Sequence, residues 1–176
     1  MVKKPSREAT YRLCLMRHGP AGQRGSLGPE ADDGLRPLTP EGREKVERAA
    51  LGLRKLVGRV DWIVTSPLVR ARETAEMVAE LFPGIPLNDC AALAPGGSAE
   101  EVVAFLGRKS ARTQVLLVGH EPSLGHMAGR LLGLGARANL SLKKGGSCLI
   151  EFTEFPPEGP GELLWWVTPR ILRRLG

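Results

Sequence analysis

The chain reads as an α/β protein, a three-layer sandwich in which a mostly parallel central sheet is covered by helices on both faces and ends in an antiparallel C-terminal edge. Three observations predict this. Short apolar runs at 11–16, 60–64 and 114–118 alternate with segments whose apolar residues recur at helical spacing. Runs that are apolar at nearly every position suit strands buried on both faces. The last two apolar runs, 147–153 and 163–167, flank a loop, Pro156-Pro157-Glu158-Gly159-Pro160-Gly161, with no helical pattern between them. With 176 residues, no internal repeat and no linker, one domain over 1–176 is expected.

Each element has a local reason. After the strand at 11–16, Thr39-Pro40-Glu41 opens a helix, with threonine as N-cap, proline at the first helical position and an acid in the first turn. Val46, Ala49, Ala50, Leu53 and Leu56 make its buried face. The strand Val60-Asp61-Trp62-Ile63-Val64 leads to Ser66-Pro67, read as a second capped helix start. That helix buries Leu68, Ala71, Ala75, Val78 and Leu81 and stops at Pro83-Gly84. Ser98-Ala99-Glu100-Glu101 has the spacing of a capping box ahead of Val102, Val103 and Leu106. A strand at 114–118 and a helix at 122–132 follow. Residues 19–38, rich in Gly, Pro and Asp, show neither period. A loop of that length is usually functional or disordered, and its position between His18 and Arg36 favours a flap beside the site over a loose insertion.

Composition excludes several classes. Hydrophobic residues at 42% and charged residues at 25% describe an ordinary globular protein. No apolar run approaches the roughly 18 residues of a membrane span. The basic start, Met1-Val2-Lys3-Lys4-Pro5, lacks a following apolar stretch of secretory length. A cytoplasmic protein is expected, with no membrane partner. The net charge of +6 permits an acidic or phosphorylated partner, but the cations are dispersed and aromatics are few, so no nucleic acid partner is expected. Three cysteines (Cys14, Cys90, Cys148) form no C-x-x-C pair and imply neither disulfides nor a zinc site. No phosphate-binding G-x-x-x-x-G-K-[ST] is present, and Gly133-Leu134-Gly135 follows a helix where a dinucleotide motif follows a strand. The tail 169–175 is expected to pack Ile171, Leu172 and Leu175 on the domain.

The chemistry gathers at strand ends. The run 13–16 delivers Arg17-His18-Gly19 to one spot, and Val115-Leu116-Leu117-Val118-Gly119 delivers His120, two of the three histidines of the chain. Ligands of open α/β sheets bind at these carboxyl ends. A guanidinium grips phosphate oxygens through paired hydrogen bonds, an imidazole can attack phosphorus, and glycine allows close backbone approach. His18 is therefore the candidate nucleophile, with Arg17 as phosphate clamp. Arg70, near the start of the second helix, is a second clamp and Arg36 a third. His120 donates to phosphate and stabilises transition-state charge. Arg72 is read as a solvated ion pair with Glu76, and His126 as a satisfied structural histidine.

Together, Met16-Arg17-His18-Gly19, Arg36-Pro37-Leu38-Thr39, Thr65-Ser66-Pro67-Leu68-Val69-Arg70-Ala71 and Val118-Gly119-His120-Glu121-Pro122 resemble the histidine phosphatase superfamily. The small phosphohistidine phosphatases of the SixA type are the nearest branch, through Leu93-Ala94-Pro95-Gly96-Gly97, Lys143-Lys144-Gly145-Gly146 and Trp166-Val167-Thr168-Pro169 as well. The resemblance implies a covalent phosphohistidine on His18, a pocket of Arg17, Arg70 and His120 helped by Arg36, release of phosphate by water, and no cofactor or metal. The mutases and general phosphatases of the superfamily carry a Glu or Asp after the third strand to protonate a leaving alcohol. Here Cys90-Ala91-Ala92-Leu93-Ala94-Pro95 has no carboxyl, leaving Asp89, Glu101 and Glu121 as substitutes. General acids commonly supply about 10²–10⁴-fold, whereas imidazole departs neutral after protonation by solvent. A protein-borne phosphohistidine is therefore the expected substrate. A phosphomonoesterase for a small phosphorylated metabolite and a non-catalytic phosphoprotein-binding module are the alternatives.

Overall fold

A computed structural model describes residues 10–26, 28, 30–108, 113–134, 140–157 and 160–176. The basic start at 1–5, positions 27 and 29 of the long loop, Gly135, and Glu158-Gly159 lie outside the described residues. The elements are β1 (Tyr11–Arg17), α1 (Pro40–Val57), β2 (Trp62–Thr65), α2 (Val69–Ala79), β3 (Leu87–Asp89), α3 (Ala99–Gly107), β4 (Gln114–Gly119), α4 (Ser123–Leu131), β5 (Ser147–Phe152), β6 (Glu162–Val167) and α5 (Pro169–Leu175).

One six-stranded sheet runs in the order β3-β2-β4-β1-β5-β6. β1 pairs in parallel with β4, β4 with β2 and β2 with β3, while β5 is antiparallel to both β1 and β6. The α/β sandwich expected from the sequence is the fold observed. Alternation along β1 divides its side chains between two cores: Leu13 and Leu15 join one with Trp62, Leu117, Leu106 and Met127, and Cys14 and Met16 join the other with Leu53, Ile63, Val78 and Leu172. Strand side chains point to opposite faces with a period of two, so one apolar run serves both layers. In register, Arg17 of β1 lies beside Gly119 of β4. Parallel pairing thus sets the carboxyl ends of both central strands, and the residues that follow them, side by side.

Local capping follows the expected chemistry in two helices. Thr39 accepts from the Gly42 amide and Pro40 opens α1, while Ser98 and Glu101 close a reciprocal capping box on α3. The second helix departs from expectation. It begins at Val69 with Leu68 as N-cap and no side-chain cap bond, because a leucine side chain offers no acceptor, and Ser66, two residues earlier, has its hydroxyl against His120. Leu56 is exposed and Val57 is buried in its place, a phase difference at the last turn of α1. The tail forms a helix that buries Leu172 against α1 but leaves Ile171 and Leu175 exposed. The short β3 edge strand and the 3-10 turns at 33–35 and 91–93 carry too few residues for a periodic signal. All three cysteines are buried free thiols, packed as small hydrophobes. Among the described residues no helix is long and apolar enough to cross a membrane.

Candidate active site

The site is built where β1 and β4 end. The His18 amide donates to the Gly119 carbonyl (3.0 Å), extending the ladder one residue past β1 to the last residue of β4, and the Ser66 amide donates to the Val118 carbonyl (2.9 Å) from the other side of β4. Gly145, at φ +77°, donates to the carbonyls of both Arg17 and His18 (3.0 and 3.1 Å), and Gly146 accepts from the Arg17 amide (3.1 Å). The Lys143-Lys144-Gly145-Gly146 turn therefore braces the end of β1. Gly19 passes so close to α1 that a Cβ there would lie 2.2 Å from Val46 Cγ2. Its amide donates to Thr74 Oγ1 (3.1 Å), which in turn donates to the Arg70 carbonyl (2.7 Å). Thr74, fully buried on α2, ties the histidine loop to the arginine helix.

His18 is 5% exposed, and its Nδ1 lies 2.7 Å from the Gly19 carbonyl. A carbonyl only accepts, so Nδ1 carries the hydrogen and Nε2 keeps its lone pair. Burial first, and then the charge of His120, push the pKa of His18 down to about 3; the Gly19 carbonyl opposes them, and the charges of Arg70 and Arg17 add smaller downward effects. The ring is neutral at physiological pH, with a free nitrogen nucleophile. The His120 ring stands 4.9 Å away, centroid to centroid, tilted by 53°. It is 2% exposed, and its Nε2 lies 2.8 Å from Ser66 Oγ. Burial first, then the guanidinium charges of Arg70, Arg17 and Arg36, pushes its pKa down to about 4. The same three arginines acting on one ring places all five sequence-predicted residues in one electrostatic neighbourhood.

The arginines are anchored differently. Arg17 donates through Nη1 to the Leu142 carbonyl (2.8 Å), and the Leu142 amide donates to Glu121 Oε1 (2.8 Å). Arg70, 4% exposed, donates through Nη1 to the Asp33 carbonyl (2.9 Å). Arg36 donates through Nε and Nη2 to the two oxygens of Asp33 (2.9 and 3.0 Å) and through Nη1 to the Gly22 carbonyl (2.7 Å). The Asp33 carboxyl is held below the usual aspartate range, chiefly by its hydrogen bonds from Arg36. Among the described residues, four buried side-chain nitrogen or oxygen atoms have no hydrogen-bond partner, and three of them are Arg17 Nε, Arg70 Nε and His120 Nδ1.

Sequence reasoning missed Asp33, Ser66 and Thr74. The i,i+3 spacing of Asp33 and Arg36 was an available signal for an ion pair, and the i,i+4 spacing of Arg70 and Thr74 for a back-bond to the helix carbonyl. Ser66, expected to cap the second helix, instead has its hydroxyl against His120, and it accepts from the Leu68 amide (3.3 Å). Arg72 pairs with Glu76 as expected and also with Asp89, which removes Asp89 to the surface. Glu101 is spent on its capping box and Glu121 on Leu142. His126 is an exposed residue beside a groove between α3 and α4, and is not a structural histidine of the core. The 19–38 loop bends back through an Ala21–Leu38 bridge and brings Asp33 to the arginines, which puts it beside the site as expected. No three His, Cys, Asp or Glu side chains converge as metal ligands among the described residues.

Residues 13–94 match the family model of the histidine phosphatase superfamily, branch 1. An uncharacterized protein of Picosynechococcus is 38% identical over 136 residues, 76% of this chain and 81% of that one. Among solved structures, the protein histidine phosphatase SixA complexed with tungstate aligns with a TM-score of 0.76 at 24% identity, over 92% of this chain and 99% of that one. A mycobacterial glucosyl-3-phosphoglycerate phosphatase aligns with a TM-score of 0.68 at 20% identity, over 90% and 99%. At these identities the two structures share the fold, and their substrates remain their own.

Proposed function

This chain belongs to the histidine phosphatase superfamily, and we propose that it hydrolyses phosphohistidine on a protein through a covalent phosphohistidine at His18. The observation that carries the reading is the concentration of unpaired buried nitrogens on Arg17, Arg70 and His120, around an imidazole whose Nε2 is free. An unpaired buried polar group costs about 1–3 kcal/mol. Three such groups on three neighbouring residues suit a ligand rich in acceptor oxygens.

In the first step the Nε2 lone pair attacks phosphorus and the P–N bond of the substrate breaks. The departing imidazole keeps the bonding pair and takes a proton from water. Arg17, Arg36 and Arg70 neutralise the equatorial oxygens, and His120 donates to one of them, so charge developing in the transition state meets donors already fixed in place. Water then attacks the phosphoenzyme, the P–Nε2 bond breaks, inorganic phosphate leaves and His18 returns to its neutral form. The protein cations do this electrostatic work without a metal or cofactor.

The carboxylates support a phosphoramidate over an ester. Asp89, Glu101 and Glu121 are engaged elsewhere, and Asp33 is held ionised beside Arg36, unsuited to donate a proton at neutral pH. The fold shared with a glucosyl-3-phosphoglycerate phosphatase keeps a small phosphorylated metabolite as the second reading. Cytoplasmic residence belongs to the same proposal, supported by three buried free thiols. The test is a rate comparison on a phosphohistidine peptide and a panel of phosphate esters, with brief acid-free trapping of labelled enzyme. We expect faster release from the peptide and label on His18. Faster ester turnover would replace the substrate, and label on another residue would remove the mechanism.

A further inference from the structure

Asp33 occupies the donors that a phosphoryl group would use. It sits in a 3-10 turn of the 19–38 loop, and its oxygens take the Nε and Nη2 hydrogens of Arg36 at 2.9 and 3.0 Å. Its Oδ2 also lies 3.5 Å from Arg70 Nη2, while its main-chain carbonyl takes Arg70 Nη1 at 2.9 Å. A carboxylate and a phosphate offer a guanidinium the same paired oxygens. The cationic mouth therefore contains a fixed negative charge of its own, one-third exposed and placed against two of the three arginines. An incoming anion must share Arg36 and Arg70 with it, or displace it.

We propose that Asp33 sets the charge of the substrates this pocket accepts: its carboxylate competes for Arg36 and Arg70, so free phosphate and esters bearing a further acidic group bind poorly, and phosphorus attached to a neutral or protonated imidazole is favoured. The competition with anions stands on the contacts alone, whereas the naming of imidazole rests on the function proposed above. Repulsion falls on every extra negative charge near the mouth, so the penalty is largest for a phosphorylated carboxylic acid. A protonated imidazole ring faces the opposite interaction with the same carboxylate. Low affinity for free phosphate has a further consequence, since the product of the second step, hydrolysis of the phosphoenzyme, is the anion that Asp33 disfavours.

The competing account is that Asp33 is only a strut holding Arg36 in place, and it predicts the opposite sign. The Asp33→Asn variant keeps an oxygen facing Arg36 and removes the charge, and Asp33→Ala removes both. Binding of inorganic phosphate to the whole protein is measured by calorimetry, with thermal unfolding to verify that each variant is folded. We expect Asp33→Asn to bind phosphate roughly tenfold more tightly than the parent. We expect the ratio of kcat/KM for 3-phosphoglycerate to that for a phosphohistidine peptide to rise by a similar factor. Unchanged or weaker phosphate binding in both Asp33→Asn and Asp33→Ala overturns the proposal and leaves the strut. Tighter phosphate binding in a protein that does not cleave the phosphohistidine peptide upholds the charge role and overturns the substrate reading instead, so the two failures are distinct.

Discussion

Arg70 and Arg36 meet the same aspartate from opposite supports. Arg70 belongs to a helix whose Thr74 is bonded to the loop of His18, and its side chain is almost wholly buried. Arg36 belongs to the 19–38 loop, and its guanidinium is held by Asp33 and the Gly22 carbonyl of that same loop. The same division runs through the site. The main chains of Arg17, His18, Ser66, Arg70 and His120 are fixed by strand ladders and helix starts, while Asp33 and Arg36 lie on the loop, held by each other, by the Gly22 carbonyl and by the Arg70 guanidinium. A residue held by the sheet keeps its position when one contact is lost. A residue held by an ion pair moves with its partner. The sheet side is suited to covalent chemistry, which demands fixed geometry, and the loop side to tuning which anions enter.

The largest effect that tests this division is on His18. His18→Ala should lower turnover by on the order of 10⁴-fold or more and abolish the labelled phosphoenzyme, because the nucleophile acts as a unit with its pocket. Residual turnover near the parent rate would place the chemistry elsewhere. Next come the two arginines compared under one assay. Arg70→Ala should cost about 10²–10³-fold in kcat/KM, in the range of losing one preorganised donor, and Arg36→Ala about tenfold, as for a partly exposed charge contact. Equal losses would erase the distinction between sheet side and loop side.

Stability against pH separates the two sides again. His18 and His120 have folded pKa values near 3 and 4, below the roughly 6.5 of an unfolded histidine. The unfolded chain therefore binds more protons, and stability falls as pH drops from about 6.5 towards 4, by about 2 kcal/mol per histidine at pH 5. Asp33 works in a lower window. Its folded pKa is depressed, so its contribution is present above the ordinary aspartate value and lost only as pH falls below it. Urea unfolding at pH 7, 6 and 5 should show this slope for the parent and a flatter one for a His18→Gln, His120→Gln double variant. A parent curve that is flat over that interval would show that neither ring is held neutral.

The smallest pair concerns the supports themselves. Thr74→Val removes the acceptor of the Gly19 amide and the donor to Arg70, and should lower stability by about 1–3 kcal/mol. Asp32→Ala removes an exposed cap on the 3-10 turn of the loop, where Asp32 Oδ1 accepts from Gly34, and should cost about 1 kcal/mol or less. Thermal unfolding of both variants measures the gap. A loop substitution that costs as much as the buried threonine would mean the loop is part of the rigid frame.

Much of the sheet and of the site's basic groups was legible in the chain. Leu13–Met16 and Val115–Val118 are apolar at every position because both faces of those strands are covered, and that pattern requires no knowledge of partners. The capping of α1 and α3 was equally legible, being written within three residues of each helix start. The failures lie where a local pattern competes with a distant partner. Ser66 has the look of a helix cap, but His120, 54 positions away, takes its hydroxyl. Ile171 is apolar but lies about 100° around the helix from Leu172, away from α1, and Leu175, on the face of Leu172, stands at the last residue of the helix and stays exposed.

By itself, then, the amino-acid order determined the layered architecture and the arrival of Arg17, His18 and His120 at neighbouring strand ends, since periodicity and parallel pairing are short-range or repetitive properties. Tertiary structure alone decided that His18 keeps Nε2 free in a buried, neutral ring, that Asp89, Glu101 and Glu121 are engaged elsewhere, and that Asp33 reaches Arg70 across 37 positions. Protonation and charge pairing depend on what surrounds a group in space, and those surroundings are assembled from segments that share no local pattern.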